Sequence, residues 1–303
     1  MNILKRILLA PVSIAFALMA WVMRRIGERN AEKLSRILVG IALASQRGRR
    51  LRNMRRVFSE WNEEQIRRLN KEHMRYISRL MVEFLRLPEL ADERFQERFS
   101  IEGEEHIQEA LRRGRGILLL GSHLGNWWYA RSALSLRGYR ISTISNRIPV
   151  RGIESQLEKI RNRFNIRGIH IGEGGSSIAA DTFGRNEIFS LAFDVSSPGR
   201  EGKSLRLPIG GATINIDLGP AALACKHNPA VLHLNIRAIG NRRSHIIIKP
   251  ASHLMDSDKT PTNPADLTRS WIDGLSVELR EFPEQWWHWS HLILEVPALH
   301  GKD

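Results

Sequence analysis

Residues 116–128 read GILLLGSHLGNWW. The run after Gly116 is apolar on both strand faces and short, as expected of a strand buried in a sheet covered on both sides. Asn126 then supplies a helix cap, and Asn126 to Leu136 carries a helical pattern. A strand turning directly into a helix is the first half of a βαβ unit. His123 lies in that turn, at the carboxyl end of the strand, where open α/β sheets carry their functional loops.

Working outward, the alternation continues. RISTIS (140–145) reads as a strand and ESQLEKIRNRF (154–164) as a helix. IRGIHI (166–171) is a third strand and GGSSIAADTFG (174–184) a short helix with its turn. EIFSLAFD (187–194) is a fourth strand, ending on Asp194, and SSPGREGKS (196–204) is a charged, Gly-rich loop. SLRLPI and ATINI are further extended pieces, GPAALACKH is a helix with Pro220 in its first turn, and AVLHLNIR and HIIIKPA are the last strands. This order predicts an α/β class fold with a largely parallel mixed sheet flanked by helices.

Before that domain, residues 7–23 carry no charge in 17 positions, with Lys5 and Arg6 on one side and Arg24 and Arg25 on the other. Seventeen residues stand at the lower edge of a bilayer span, and no small-x-small site marks a cleaved signal. The expectation is an N-terminal membrane-anchoring helix over residues 1–26, spanning the bilayer or lying in its interface. Residues 27–100 form an amphipathic helical segment: Ile66, Leu69, His73, Ile77, Leu80 and Phe84 recur at intervals of three or four. Residues 101–303 form the α/β domain.

The 303 residues hold 42% hydrophobic positions, enough for a sizeable core. One cysteine, Cys225, excludes an internal disulfide framework and a cysteine-built metal site. Lys and Arg number 46 against 32 acids, and Arg47, Arg49, Arg50, Arg52, Arg55 and Arg56 fall within ten residues. Beside an apolar anchor, and without stacking aromatics or a nucleic-acid motif, that run points to an anionic membrane surface rather than to nucleic acid. Trp286, Trp287 and Trp289 in FPEQWWHW suit a membrane interface or a core. His288 and His291 lack a local carboxylate or cysteine set, so no metal site is expected.

His123 precedes a helix whose positive amino end disfavours imidazolium, which keeps a histidine neutral and able to accept a proton. A turn histidine held by local hydrogen bonds has the same local sequence, and position alone does not separate the two.

Several stretches, taken in order, add context: RNMRRVF, GRGILLLGSHLGNWW, SNRIPVRGIESQLEKIRNRF, the strand ending at Asp194, PIGGATINIDLGPAALACKHNPAVL and EFPEQWWHW. Together they resemble the lipid A late acyltransferases, a branch of the lysophospholipid acyltransferase superfamily, over nearly the whole chain. The resemblance implies a membrane-bound enzyme of the bacterial inner membrane, its active site at the cytoplasmic face. It would move an acyl group from acyl carrier protein or acyl-CoA onto a hydroxyl or amine of a lipid or glycolipid, with no cofactor beyond the thioester.

The family pattern is a histidine followed five positions later by an acid that orients it. Here the histidine is His123 and the acid position holds Trp128, whose indole donates only. Three readings follow. Another carboxylate, Asp194 or Glu173, orients the ring; or His123 acts alone; or the chain has lost transfer and binds lipid or a carrier protein. The resemblance also nominates Asn126, Trp128 and Arg163 for substrate binding, and Arg200 and Lys203 for the phosphates of a carrier arm or of the acceptor.

Overall fold

The computed structural model describes the backbone of residues 3–195, 203–240, 242–251 and 263–291, with side chains from Ala10 onward. Five helices lead the chain: α1 (Ile3–Arg25), α2 (Glu28–Ala42), α3 (Arg47–Val57), α4 (Glu63–Arg86) and the short α5 (Asp92–Gln96). The stripe from Ile66 to Phe84 is the buried face of α4. Its start is fixed by a capping box, with the Asn62 side chain accepting from Gln65 N at 2.9 Å and Gln65 Oε1 accepting from Asn62 N at 2.9 Å.

The body then runs β1 (Phe99–Glu102), α6 (Glu104–Arg112), β2 (Ile117–Gly121), α7 (Trp127–Leu136), β3 (Ile141–Ser145), α8 (Arg151–Arg163), β4 (Arg167–His170), α9 (Gly175–Gly184) and β5 (Ile188–Ala192). After the hairpin β6 (Ser204–Ile209) and β7 (Ala212–Asp217) come α10 (Gly219–His227), β8 (Ala230–Ala238), β9 (Ser244–Pro250) and α11 (Pro264–Glu281). Strands β1, β9, β8, β2, β5, β3 and β4 form one sheet in that order, parallel throughout except where β9 meets β8.

Two differences from the sequence reading concern strands. SLRLPI and ATINI do not join the main sheet; they pair with each other as an antiparallel ribbon. Its tip, Gly210–Gly211, docks on α3, and Gly211 N donates to Val57 O at 2.9 Å. A Cβ on Gly210, at φ +57°, would stand 2.2 Å from that same oxygen, so the close approach requires glycine. Strand β1 is the other difference: FSIE is too short and too polar to announce itself.

Alternation along the strands divides the core. Leu118, Leu120, Phe189 and Leu191 face α9, α10 and α11, while Ile117, Leu119 and Ile188 face α6, α7 and α8. The apolar N-terminal segment packs its Ala20 and Met23 into this second layer. Val12, Ile14, Leu18 and Trp21 remain on its exposed side. Among the described residues no helix is long and apolar enough to cross a membrane. The spanning form of the expected anchor therefore finds no support there.

The arginine-rich run splits in two. Arg47, Arg49, Arg52 and Arg55 are exposed, but Arg50 and Asn53 are buried and hold the carboxyl-terminal segment. Arg50 Nη1 donates to Ser290 Oγ at 3.1 Å and Nε to Asn70 Oδ1 at 2.7 Å, and Asn53 Nδ2 donates to Trp289 O at 3.0 Å.

Candidate active site

Strands β2 and β5 are parallel neighbours with Gly121 opposite Ala192. Two residues further on, each strand delivers one functional side chain, His123 from one and Asp194 from the other. His123 Nδ1 lies 2.8 Å from Asp194 Oδ1, and the His123 backbone N–H donates to Oδ2, also at 2.8 Å. Trp286 Nε1 donates to the same Oδ2 at 3.0 Å. The carboxylate is fully buried and all three contacts are donors.

Burial alone would raise the pKa of Asp194. The adjoining His123, through charge and hydrogen bonds, with His288 behind it, outweighs that and holds the carboxyl below the ordinary range. An ionised Asp194 accepts the Nδ1 proton, which leaves the lone pair on Nε2. Among the described residues Nε2 has no protein partner, and the ring lines a cavity of about 750 Å³.

The turn that carries His123 is held from outside. Gly125 N donates to Gln285 O at 3.2 Å, Trp287 N donates to His123 O at 2.9 Å, and Leu124 bridges Trp286. At φ +79°, a Cβ on Gly125 would sit 1.9 Å from Ile236 O. The carboxyl-terminal EQWWHW therefore belongs to the site, and Trp286 is a residue the sequence reading missed. Indoles suit both membrane interfaces and cores, and neither reading predicts a hydrogen bond to a carboxylate 92 residues away.

The other nominated residues scatter. Asn126 is buried and fully used: Oδ1 caps α7 by accepting from Tyr129 N at 3.2 Å, and Nδ2 donates to Glu83 Oε2 at 2.8 Å. Trp128 lines the cavity against Phe84, with ring centroids 5.7 Å apart. Glu173, the alternative orienting acid, pairs with Arg147 at 3.0 Å instead. Arg163 donates to Leu90 O and Asp92 Oδ1 at 2.7 and 2.6 Å and is outside the cavity lining. Lys203 is exposed, and Arg200 lies outside the described residues.

His288 sits beside His123, ring centroids 4.5 Å apart, with Nε2 3.9 Å from Asp194 Oδ2. The carboxylate that its local sequence lacks is thus supplied by β5. His123, Asp194 and His288 bring donor atoms within 4.8 Å of one another, and Glu154, Glu158 and His170 form a second such group. In the first group the 2.8 Å contact is that of a hydrogen-bonded pair. Burial holds His288 neutral, its pKa pushed down to about 3.

The cavity opens where the sheet parts. Strand β5 follows β2 as far as Ala192, but β3 pairs with it only from Ile141 to Thr143. Beyond Thr143 the two strands diverge, and Thr143, Ile144, Ser145, Leu191 and Ala192 line the space. Alternation gives it two faces. Ile144, Phe189, Leu191 and Leu223 make an apolar wall on the α10 side; on the α7 side Arg131, Thr143, Ser145 and Arg161 make a polar wall, flanked by the apolar Phe84, Trp128, Ile153 and Leu157.

An imidazole–carboxylate pair whose ring lines a partly apolar cavity suits proton transfer from a substrate that carries a long apolar group. The sequence profile of the bacterial lipid A biosynthesis acyltransferases matches residues 4–293. The chain belongs to this family. As a member it is an acyltransferase of lipid biosynthesis, and membership implies a lipid acceptor and an acyl donor. Comparison with curated proteins finds no match.

Proposed function

We propose that the protein transfers an acyl group from an acyl carrier protein or acyl-CoA thioester to a hydroxyl or amine of a lipid or glycolipid acceptor. The observation that carries this reading is the His123–Asp194 contact of 2.8 Å, with the His123 ring in the lining of the cavity. His123 Nε2 takes the acceptor proton as the oxygen attacks the thioester carbonyl. The new O–C bond forms, the C–S bond breaks, and the departing thiolate recovers the proton from the imidazolium. Asp194 stays ionised and fixes the ring's orientation, so Trp128 at the family's acid position leaves the base with a partner. The apolar wall receives the acyl chain.

Work at a membrane surface fits the exposed Val12, Ile14, Leu18 and Trp21 of α1 and Ile37 and Ile41 of α2, with Arg25 stacked 4.1 Å over Trp21. The setting is the cytoplasmic face of a bacterial inner membrane, with the first helix lying in the interface.

The test offers the purified protein both thioester donors with a panel of lipid acceptors in detergent. Turnover is expected with at least one pair, and His123→Ala is expected to lower it about 10³–10⁴-fold. Unchanged turnover in that variant removes His123 from the mechanism. No turnover with any pair favours a lipid- or carrier-binding protein.

A further inference from the structure

Arg131 projects from α7 into the polar wall of the cavity with only 6% of its surface exposed. Its Nε donates to Ser190 Oγ at 3.0 Å. Among the described residues neither terminal nitrogen has a protein hydrogen-bond partner, and no carboxylate stands within ion-pair range. One of those nitrogens lies 4.0 Å from the point where a Cβ on Gly121 would be, against the end of β2 and just beneath the His123 turn. Burial lowers its pKa to about 10, with Asp194 acting in the opposite sense, so the guanidinium is charged at neutral pH.

Its surroundings are those of a receptor rather than of a core. Ser190 sits opposite Thr143 in the β3–β5 register, so Thr143 and, two residues on, Ser145 present hydroxyls to the same wall. Arg161 closes it, already neutralised by Glu158 at 2.8 Å and Glu154 at 3.5 Å and donating to Ser145 Oγ at 2.8 Å. Arg161 keeps one unpartnered donor, Nε, but its charge is balanced by those carboxylates; among the described residues Arg131 is the cation in this wall with no paired carboxylate and two free terminal nitrogens. A buried guanidinium fork is costly to leave unfilled, and it matches the paired oxygens of phosphate or carboxylate. Gly121 precedes His123 by two residues, which places the fork near the foot of the turn that carries the base.

We propose that Arg131, with Thr143 and Ser145, forms an interior anion subsite that holds one compact oxyanion group, a phosphate or carboxylate, of a substrate whose reacting end lies at His123. That substrate occupies the α7 side of the cavity, and an apolar chain occupies the wall of Ile144, Phe189, Leu191 and Leu223. The subsite stands on the unfilled guanidinium; only its assignment to a transfer substrate rests on the function proposed above.

The experiment titrates the full-length protein in detergent with inorganic phosphate against sodium chloride of equal ionic strength. It reads the thermal midpoint and the fluorescence of the tryptophans, three of which, Trp127, Trp128 and Trp287, line the cavity. Saturable binding is expected in the wild type, with affinity lowered at least about tenfold in Arg131→Met. Equal response of both proteins to phosphate, or no saturable response in either, overturns the subsite. Should Arg131→Met not fold, Arg131→Lys keeps the charge without the fork: severalfold weaker binding supports the proposal, and unchanged binding overturns it. Transfer assays then identify the source. Phosphate competing with the acceptor assigns the oxyanion to the acceptor, and competition with the thioester assigns it to the donor. Inhibition that Arg131→Met leaves unaltered overturns the proposal. Intact phosphate binding without turnover leaves the subsite standing and rejects acyl transfer instead.

Discussion

Two buried arginines, Arg50 on α3 and Arg131 on α7, look alike in the sequence and do opposite things. Arg50 gives its donors to Asn70 and Ser290, neutral acceptors within the protein, and so fastens the carboxyl-terminal segment to the helical region. Arg131 gives one donor to Ser190 and turns the rest to a cavity. The number of donors left unfilled, rather than burial or charge, separates a fastening from a receptor. The fastened segment is also the one that carries Trp286 to Asp194, so the two regions meet at that carboxylate.

The largest break in this comparison comes at the meeting point. Asp194→Asn keeps the size but can no longer hold the His123 tautomer, and acyl transfer is expected to fall about 10³–10⁴-fold, measured as initial rate at saturating substrates. A loss under tenfold would show that the ring needs no carboxylate.

Next in size is the pair of arginines themselves. Arg50→Met strands Asn70 Oδ1 and Ser290 Oγ and is expected to lower stability by about 2–3 kcal/mol in denaturant unfolding. Arg131→Met, in phosphate-free buffer, relieves an uncompensated buried charge and is expected to leave the unfolding midpoint unchanged or raised. Opposite signs sharpen the contrast; equal losses would erase it.

Acid sensitivity also has a contributor in each region. Burial holds His73, whose Nδ1 lies 2.9 Å from Glu284 O, at about 3, and likewise holds His288 in the cavity wall at about 3. Unfolded imidazoles protonate near 6.5, so between that pH and 3 the unfolded chain binds more protons. Stability is therefore expected to fall as pH drops through this window, by about 1.4 kcal/mol per pH unit for each group. His73→Gln should lower the measured slope by about 1.4 kcal/mol per pH unit in urea titrations from pH 6 to pH 4. A slope identical to wild type would mean that His73 is protonated in the folded state.

Local pattern was enough for most of the elements around the site. The apolar run before His123, the strand ending at Asp194 and the cap at Asn126 each depend on residues close in sequence. The adjacency of the two strand ends does not, because β2 and β5 are separated by β3 and β4 in the chain and become neighbours only through strand order. Asp194 was visible as a candidate, while its partner Trp286 was hidden among aromatics that packing explains equally well. Arg131 drew no notice because an arginine four residues into a helix is an ordinary surface residue until the helix is seen to pack on the sheet. The arginine-rich run misled in part for the converse reason. Its exposed members fit a lipid-facing role, but Arg50 and Asn53 turn inward, a distinction that composition cannot draw.

The parting of β3 from β5 has an evolutionary consequence. The reacting pair rides on β2 and β5, whereas much of what a bound molecule would touch comes from β3 and α8 across the gap. Mutations on that far bank can resize or recharge the guest without disturbing the hydrogen bonds that tune the base. Selectivity is thus free to drift within one lineage while the chemistry stays put.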